Sequence, residues 1–114
     1  MTQSTPLAQW TAVAKLEDIP VLGARVIKLT EFNIAVFRTQ HDQIFALKDS
    51  CPHKQGPLSQ GIVHGTRVTC PLHNWQIDLT NGQALGPDEG CTHQYATKVE
   101  NNVVYLESAV LARG

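Results

Sequence analysis

"RVIKLTEFNIAVFRTQHDQIFALKD", residues 25–49, decides the fold class, because its apolar residues follow the patterns of β-strands. The part "RVIKLT" alternates, whereas "NIAVFRT" and "IFALKD" are β-branched and aromatic runs on either side of the polar residues "QHDQ". Two such runs joined by a short polar break predict a β-hairpin. The segment therefore indicates neighbouring antiparallel strands.

The same pattern continues along the rest of the chain. "TRVTC" and "WQIDL" are further short runs, and the second leads into the tight-turn pair Asn81-Gly82. "QYATKVE" and "VVYLES" flank Asn101-Asn102, a pair that tolerates positive φ. Short strands with regular turn signals predict an all-β sandwich or barrel. Helices are conceivable only in "LAQWTAVAKLEDIP" and the tail "ESAVLARG", and "KLEDIP" favours a turn before Pro20.

Length and composition predict one ordinary globular domain, residues 1–114. The formal net charge is −1 and no basic stripe is present, which argues against a nucleic-acid surface. No segment approaches the roughly 18 apolar residues that a membrane span needs, and the N-terminus lacks the pattern of a secretory signal. Three cysteines do not suit a disulfide framework, so we expect a cytoplasmic protein with reduced thiols.

Two loops each combine one thiol with one imidazole. Cys51 and His53 stand in "CPH", and Cys70 and His73 stand in "CPLH" after a gap of 16 residues. A tetrahedral zinc site accepts this donor set, but zinc fingers usually pair like ligands and place the two His on a helix. A nucleophilic Cys with a His base is the other alternative, although two such pairs are one too many and no third orienting group is evident.

Cys91 and His93 form a similar "CTH" segment. Because no matching second pair exists, the sequence favours a buried structural thiol beside a surface His.

The spacing C-x-H, 16 residues, C-x-x-H resembles the ligand pattern of a Rieske [2Fe–2S] centre. In such centres two thiolates hold one iron and two imidazoles hold the other. The resemblance implies that Cys51 and Cys70 hold the inner iron and that His53 and His73 hold the outer one. It covers most of the chain, and it implies a Rieske-like β-sandwich with a small cluster-binding subdomain of two loops, at about residues 51–80.

Departures from the respiratory Rieske proteins bear on the redox potential. Those proteins carry an extra Cys in each ligand loop, and Gly56 and Leu72 stand at the corresponding positions here. Their Ser and Tyr hydroxyls, which donate to the cluster sulfurs, are replaced by Trp75 and Ile77. The resemblance therefore implies no bridge between the loops and a low potential.

Three segments resemble the small subunit of cytoplasmic NAD(P)H-dependent assimilatory nitrite reductases. They are "CPHKQGPLSQGIVHG", "VTCPLHNWQIDL" and "GPDEGC" at residues 86–91, which is followed by a hairpin ending in "VVYLE". This resemblance implies electron transfer during reduction of nitrite to ammonium, with no catalytic residue on this chain. The implied partner is a large catalytic subunit that carries FAD, siroheme and another iron–sulfur centre and uses NAD(P)H.

Two other functions share the ligand pattern. A free Rieske-type ferredoxin would supply electrons to a ring-hydroxylating oxygenase, although such ferredoxins more often carry Gly where Asn74 follows the second His. A non-catalytic module that senses iron or redox state is a further alternative.

Overall fold

The computed structural model describes residues 9–51, 57–70, 75–85 and 90–108. Within them ten strands form three antiparallel sheets. The strands are β1 (Trp10–Lys15), β2 (Gly23–Lys28), β3 (Asn33–Arg38), β4 (Ile44–Lys48), β5 (Ile62–His64), β6 (Arg67–Thr69), β7 (Gln76–Asp78), β8 (Gln94–Tyr95), β9 (Thr97–Glu100) and β10 (Val103–Glu107). The all-β prediction is confirmed. In this part of the chain no helix is long and apolar enough to cross a membrane.

The central sheet has the order β2-β3-β4-β8. Strands β3 and β4 form the hairpin that the sequence predicts, with Phe37 opposite Phe45. Its polar turn is closed by Thr39, whose N–H donates to the carbonyl oxygen of Gln43 at 2.9 Å. Asp42 adopts φ +63 in this turn, a conformation that Asp tolerates better than most residues.

Both faces of the central sheet are covered, as the alternation along β3 shows. Ile34 and Val36 pack in one apolar cluster with Val104 and Leu106 of the sheet β1-β10-β9. Their neighbours Ala35 and Phe37 point to the other face and belong to a second cluster. That second cluster contains Val63, Val68 and Ile77 of the sheet β5-β6-β7. Successive strand residues face opposite sides, so a run of four fully buried residues requires a layer on each side.

The N-terminal segment departs from one expectation. Trp10–Lys15 is strand β1, which pairs with β10, so a helix there is wrong. The apolar residues Val13 and Ala14 pack against the cluster that contains Val104 and Leu106, so the pairing with β10 decides the conformation. Leu16–Asp18 forms a single 3-10 turn, which confirms the predicted turn before Pro20. The tail from Ala109 onward lies outside the described residues.

Two predicted turns are present. Asn101 and Asn102 adopt φ +53 and +62 between β9 and β10. Gly82 adopts φ +78, and a Cβ at this position would overlap the carbonyl oxygen of Thr92. The backbone N–H of Thr92 donates to the carbonyl oxygen of Gly82 at 2.8 Å. The turn therefore needs glycine both for its conformation and for this close contact.

The sheet β5-β6-β7 lies in chain order between β4 and β8, which pair with each other. It falls within the predicted cluster-binding subdomain at about residues 51–80. The interpretation of that range as a separate subdomain stays a prediction.

Candidate metal centre

The structure brings together the two cysteines that the sequence predicts as ligands. Cys51 follows strand β4 and Cys70 follows strand β6, and each is 1% exposed. Both belong to the same apolar cluster, with Leu58 and Leu79 among its fully buried members. Neither thiol is part of a disulfide. The other two predicted ligands, His53 and His73, lie outside the described residues.

The first ligand loop is tied at its base. Asp49 lies two residues before Cys51, and its backbone N–H donates to the carbonyl oxygen of Asn33 at 2.8 Å. Its carboxylate accepts two hydrogen bonds from Ser59, from the backbone N–H at 2.7 Å and from Oγ at 2.8 Å. Asp49 and Ser59 are functional candidates that the sequence interpretation missed. The one available signal was an acidic residue just before a ligand, and most such residues are merely solvated.

The second ligand loop is the turn of the β6–β7 hairpin. Thr69 pairs with Gln76, and the N–H of Cys70 donates to the carbonyl oxygen of Trp75 at 2.6 Å. Trp75 is half-buried and packs against the cluster that holds both thiols. Its predicted place in the core is thus correct for part of the side chain.

The two loops are linked through Gly61. A Cβ on Gly61 would overlap the carbonyl oxygen of Thr69 and lie 2.9 Å from Cγ2 of Val68. Glycine therefore lets the start of β5 lie directly against the residue that precedes Cys70. His64, expected to be a solvated turn residue, is instead half-buried, with Nε2 2.7 Å from Oγ1 of Thr69.

The third cysteine lies apart from the pair. Cys91 is exposed, so the expectation of a buried thiol is wrong. An isolated backbone bridge to Gln83 holds it at the surface. The exposed His93 stacks on Tyr95 with the ring centroids 4.8 Å apart. Among the residues that the structure describes, no group of three or more His, Cys, Asp or Glu side chains is placed to hold a metal ion.

The donor chemistry of Cys51 and Cys70 fits a thiophilic metal. Thiolates are soft ligands that suit iron–sulfur clusters and zinc. An ionised thiolate in apolar surroundings is costly unless a counter-charge is present, and a bound iron supplies one. The two thiols therefore fit the pair of ligands that a Rieske centre uses for one of its irons.

The family model for the Rieske [2Fe-2S] domain matches residues 9–97. The chain belongs to the Rieske [2Fe–2S] domain family. A Rieske domain implies a [2Fe–2S] cluster, so this chain is a Rieske-type electron-transfer domain. Membership also agrees with the covered antiparallel sheets and with the two buried cysteines.

Rieske relatives include both small and large proteins. A ferredoxin component of the naphthalene 1,2-dioxygenase/salicylate 5-hydroxylase systems of Ralstonia sp. is 31% identical over 99 residues, which cover 86% of this chain and 94% of that protein. The 4beta-methylsterol monooxygenase of Methylococcus capsulatus is 42% identical over 60 residues, which cover 50% of this chain. The match spans only 16% of that monooxygenase, so its whole activity is not carried by a chain of this kind.

Two solved structures share the fold equally well. One is a putative NADPH nitrite reductase small subunit, with a TM-score of 0.76, 24% identity and coverage of 86% of this chain and 97% of that one. The other comes from a complex of oxygenase and ferredoxin in carbazole 1,9a-dioxygenase, with the same TM-score and identity and coverage of 86% and 92%. At this level of identity the likeness concerns the fold alone.

Proposed function

We propose that this Rieske domain is the electron-transfer small subunit of a cytoplasmic NAD(P)H-dependent nitrite reductase, which reduces nitrite to ammonium. Its [2Fe–2S] cluster is held by Cys51, His53, Cys70 and His73. The observation that carries the cluster assignment is the burial of Cys51 and Cys70 in one apolar cluster. The choice of enzyme is supported by the resemblance of the two ligand segments and of "GPDEGC" to that class of subunit.

The chain contributes a rigid and dry environment. Leu58 and Leu79 are fully buried in the cluster around the two thiols and exclude water from that side. The hydrogen bond between Cys70 and Trp75 and the bonds between Asp49 and Ser59 hold the ends of the two loops. When bound, the cluster supplies reversible one-electron transfer. No residue of this chain is assigned a catalytic role.

The proposed partner is a large subunit that carries FAD, siroheme and another iron–sulfur centre. A nicotinamide donates electrons in pairs, whereas siroheme accepts them singly, and nitrite needs six in all. A one-electron carrier suits such a hand-over. In this assignment residues 1–114 are one Rieske domain, and residues 51–80 form its cluster-binding part.

The test combines chemical analysis with reconstitution. The purified chain should contain iron and acid-labile sulfide in the ratio of a [2Fe–2S] cluster and give a Rieske electron-paramagnetic-resonance signal. The siroheme-containing large subunit should bind this chain, and its NAD(P)H-dependent turnover of nitrite should fall when Cys51→Ala replaces the wild type. Unchanged turnover would remove the cluster from the electron path, and failure to bind would reject the partner.

A free ferredoxin is the second candidate, and one observation favours it. The Ralstonia ferredoxin component matches along 94% of its own length, so this chain has the size of a freestanding carrier. The same preparation should then reduce a ring-hydroxylating oxygenase in the presence of a reductase. Electron delivery to the oxygenase without binding to the siroheme subunit would favour this candidate over the nitrite reductase.

A further inference from the structure

The first ligand loop is closed by one side chain at each end. Asp49 precedes the loop, and both of its carboxylate oxygens are used: Oδ1 accepts the backbone N–H of Ser59 and Oδ2 accepts its hydroxyl. Asp49 is itself fixed to the central sheet, because its N–H donates to the carbonyl oxygen of Asn33. Hydrogen bonds to an ionised acceptor are stronger than neutral ones. The carboxylate therefore ties Ser59 to the sheet that leads into Cys51.

Ser59 lies in the 3-10 turn Leu58–Gln60, directly after a fully buried residue. The turn contacts strands β2 and β3, and Leu58 packs in the same cluster as both thiols. The return of the first loop is thus held by apolar packing and by the two bonds to Asp49. The bonds fix the direction of the chain, which a single apolar side chain does not.

Two residues further on, the chain contacts the strand that carries the second thiol. Gly61 lies against the carbonyl oxygen of Thr69, and Ile62 pairs with Thr69 across the β5–β6 ladder. Thr69 directly precedes Cys70. A continuous series of contacts therefore runs from Cys51 through Asp49 and Ser59 to Cys70.

We propose that Asp49 is a positioning residue whose carboxylate, acting through Ser59, sets the separation of the Cys51 and Cys70 thiols so that both bind one iron. The proposal rests on the proposed cluster. Without the carboxylate, the base of the first loop is free to separate, and the two thiols no longer hold a fixed spacing. Supporting partners of this kind typically change metal affinity by about 10–100-fold when they are removed.

The experiment compares four variants with the wild type. Asp49→Ala removes both acceptors, and Ser59→Ala removes only the hydroxyl. Asp49→Asn is the conservative rescue, since its amide oxygen accepts the N–H of Ser59 and its amide nitrogen donates to Oγ. Asp78→Ala is the matched control, because the Asp78 carboxylate also accepts an N–H and a hydroxyl, both from Thr80, at 2.9 and 2.6 Å.

The readouts are the rate of cluster loss to a chelator, the electron-paramagnetic-resonance signal of the reduced protein and the circular dichroism of the apo-protein. Asp49→Ala should lose iron roughly tenfold faster or more and show a shifted signal, with Ser59→Ala intermediate. Asp49→Asn and Asp78→Ala should behave as the wild type. Wild-type cluster retention and signal in Asp49→Ala would overturn the proposal, as would equal loss from Asp78→Ala.

A cluster-independent measurement separates this proposal from the proposed function. Cd²⁺ titrated into apo-protein reports, through thiolate-to-metal absorption, whether Cys51 and Cys70 bind one ion together. Asp49→Ala should weaken this binding by roughly tenfold or more. If the wild type never contains iron and sulfide yet Cd²⁺ binding depends on Asp49, the cluster assignment fails while the positioning role stands. Cd²⁺ affinity that is equal in the wild type and Asp49→Ala would reject the positioning role.

Discussion

Cys51 and Cys70 are each 1% exposed and pack in one apolar cluster, although they follow strands of two different sheets. A pair of buried thiols that form no disulfide is the structural basis for a metal centre here. The consequences for composition, potential and stability can each be tested.

Removal of either buried thiol should abolish the cluster. Cys51→Ala and Cys70→Ala each take away one of two ligands to the same iron, so the purified variants should lack iron and sulfide. Cys91→Ala is the matched control, because it removes an exposed thiol outside the pair. It should keep the wild-type visible spectrum. Full iron content in Cys51→Ala would contradict the ligand assignment.

The midpoint potential should lie near the bottom of the Rieske range, at about −150 mV. Trp75 and Ile77 occupy positions where the resemblance to respiratory proteins would place hydroxyl donors, and Ile77 is fully buried in the cluster that holds the thiols. Without hydroxyl donors to its sulfurs, the reduced cluster is less stabilised. Trp75→Ser should raise the midpoint in a redox titration, whereas Trp75→Phe should not. A clearly positive wild-type value would refute the expectation.

Gly82→Ala should destabilise the protein more than Gly65→Ala. Both glycines have positive φ, +78 and +60, so each substitution costs about 1 kcal/mol for conformation alone. A Cβ on Gly65 meets nothing within 4 Å, whereas one on Gly82 overlaps the carbonyl oxygen of Thr92. Overpacking adds roughly 1–3 kcal/mol. Denaturant unfolding of the two variants gives the difference, and equal losses would show that the contact with Thr92 relaxes freely.

Arg38 should matter more for stability than its ion pair suggests. Its Nη1 donates to the carbonyl oxygens of Leu16 and Ile19 at 3.1 and 2.8 Å. Arg38→Met leaves these carbonyls without that donor, which should cost about 1–3 kcal/mol in the free energy of unfolding.

The control is Asp42→Asn, which keeps an amide acceptor and a residue that tolerates positive φ. Because Asp42 is 53% exposed, loss of its charge should cost less than about 1 kcal/mol. A larger effect for Asp42→Asn than for Arg38→Met in thermal or denaturant unfolding would mean that the ion pair, and not the carbonyl contacts, holds this corner.

Local features were predictable because neighbouring residues determine them. The hairpin of β3 and β4 follows from two apolar runs and a polar break, and Asn101 and Asn102 adopt the positive φ that the pair tolerates. The conformation of Leu22, with φ +62, had no such signal, since Leu seldom occupies this region. The Gly23 N–H, which donates to the carbonyl oxygen of Pro20 at 2.9 Å, closes this turn.

Features that depend on distant partners were less accessible. The segment Trp10–Lys15 has a composition compatible with a helix, but its pairing with β10 makes it a strand. Cys91 was expected in the core because cysteine is usually buried. Its bridge to Gln83 places it at the surface.

The sequence by itself determined the all-β class, the principal hairpins and the set of thiol and imidazole donors, because strand period, turn chemistry and ligand type are properties of short segments. The tertiary structure decided that Cys51 and Cys70 share one buried cluster while Cys91 does not. It also joined Asp49 to Ser59 and placed Gly61 against Thr69. Such pairings depend on strand register and loop closure between distant segments, and no local pattern specifies them.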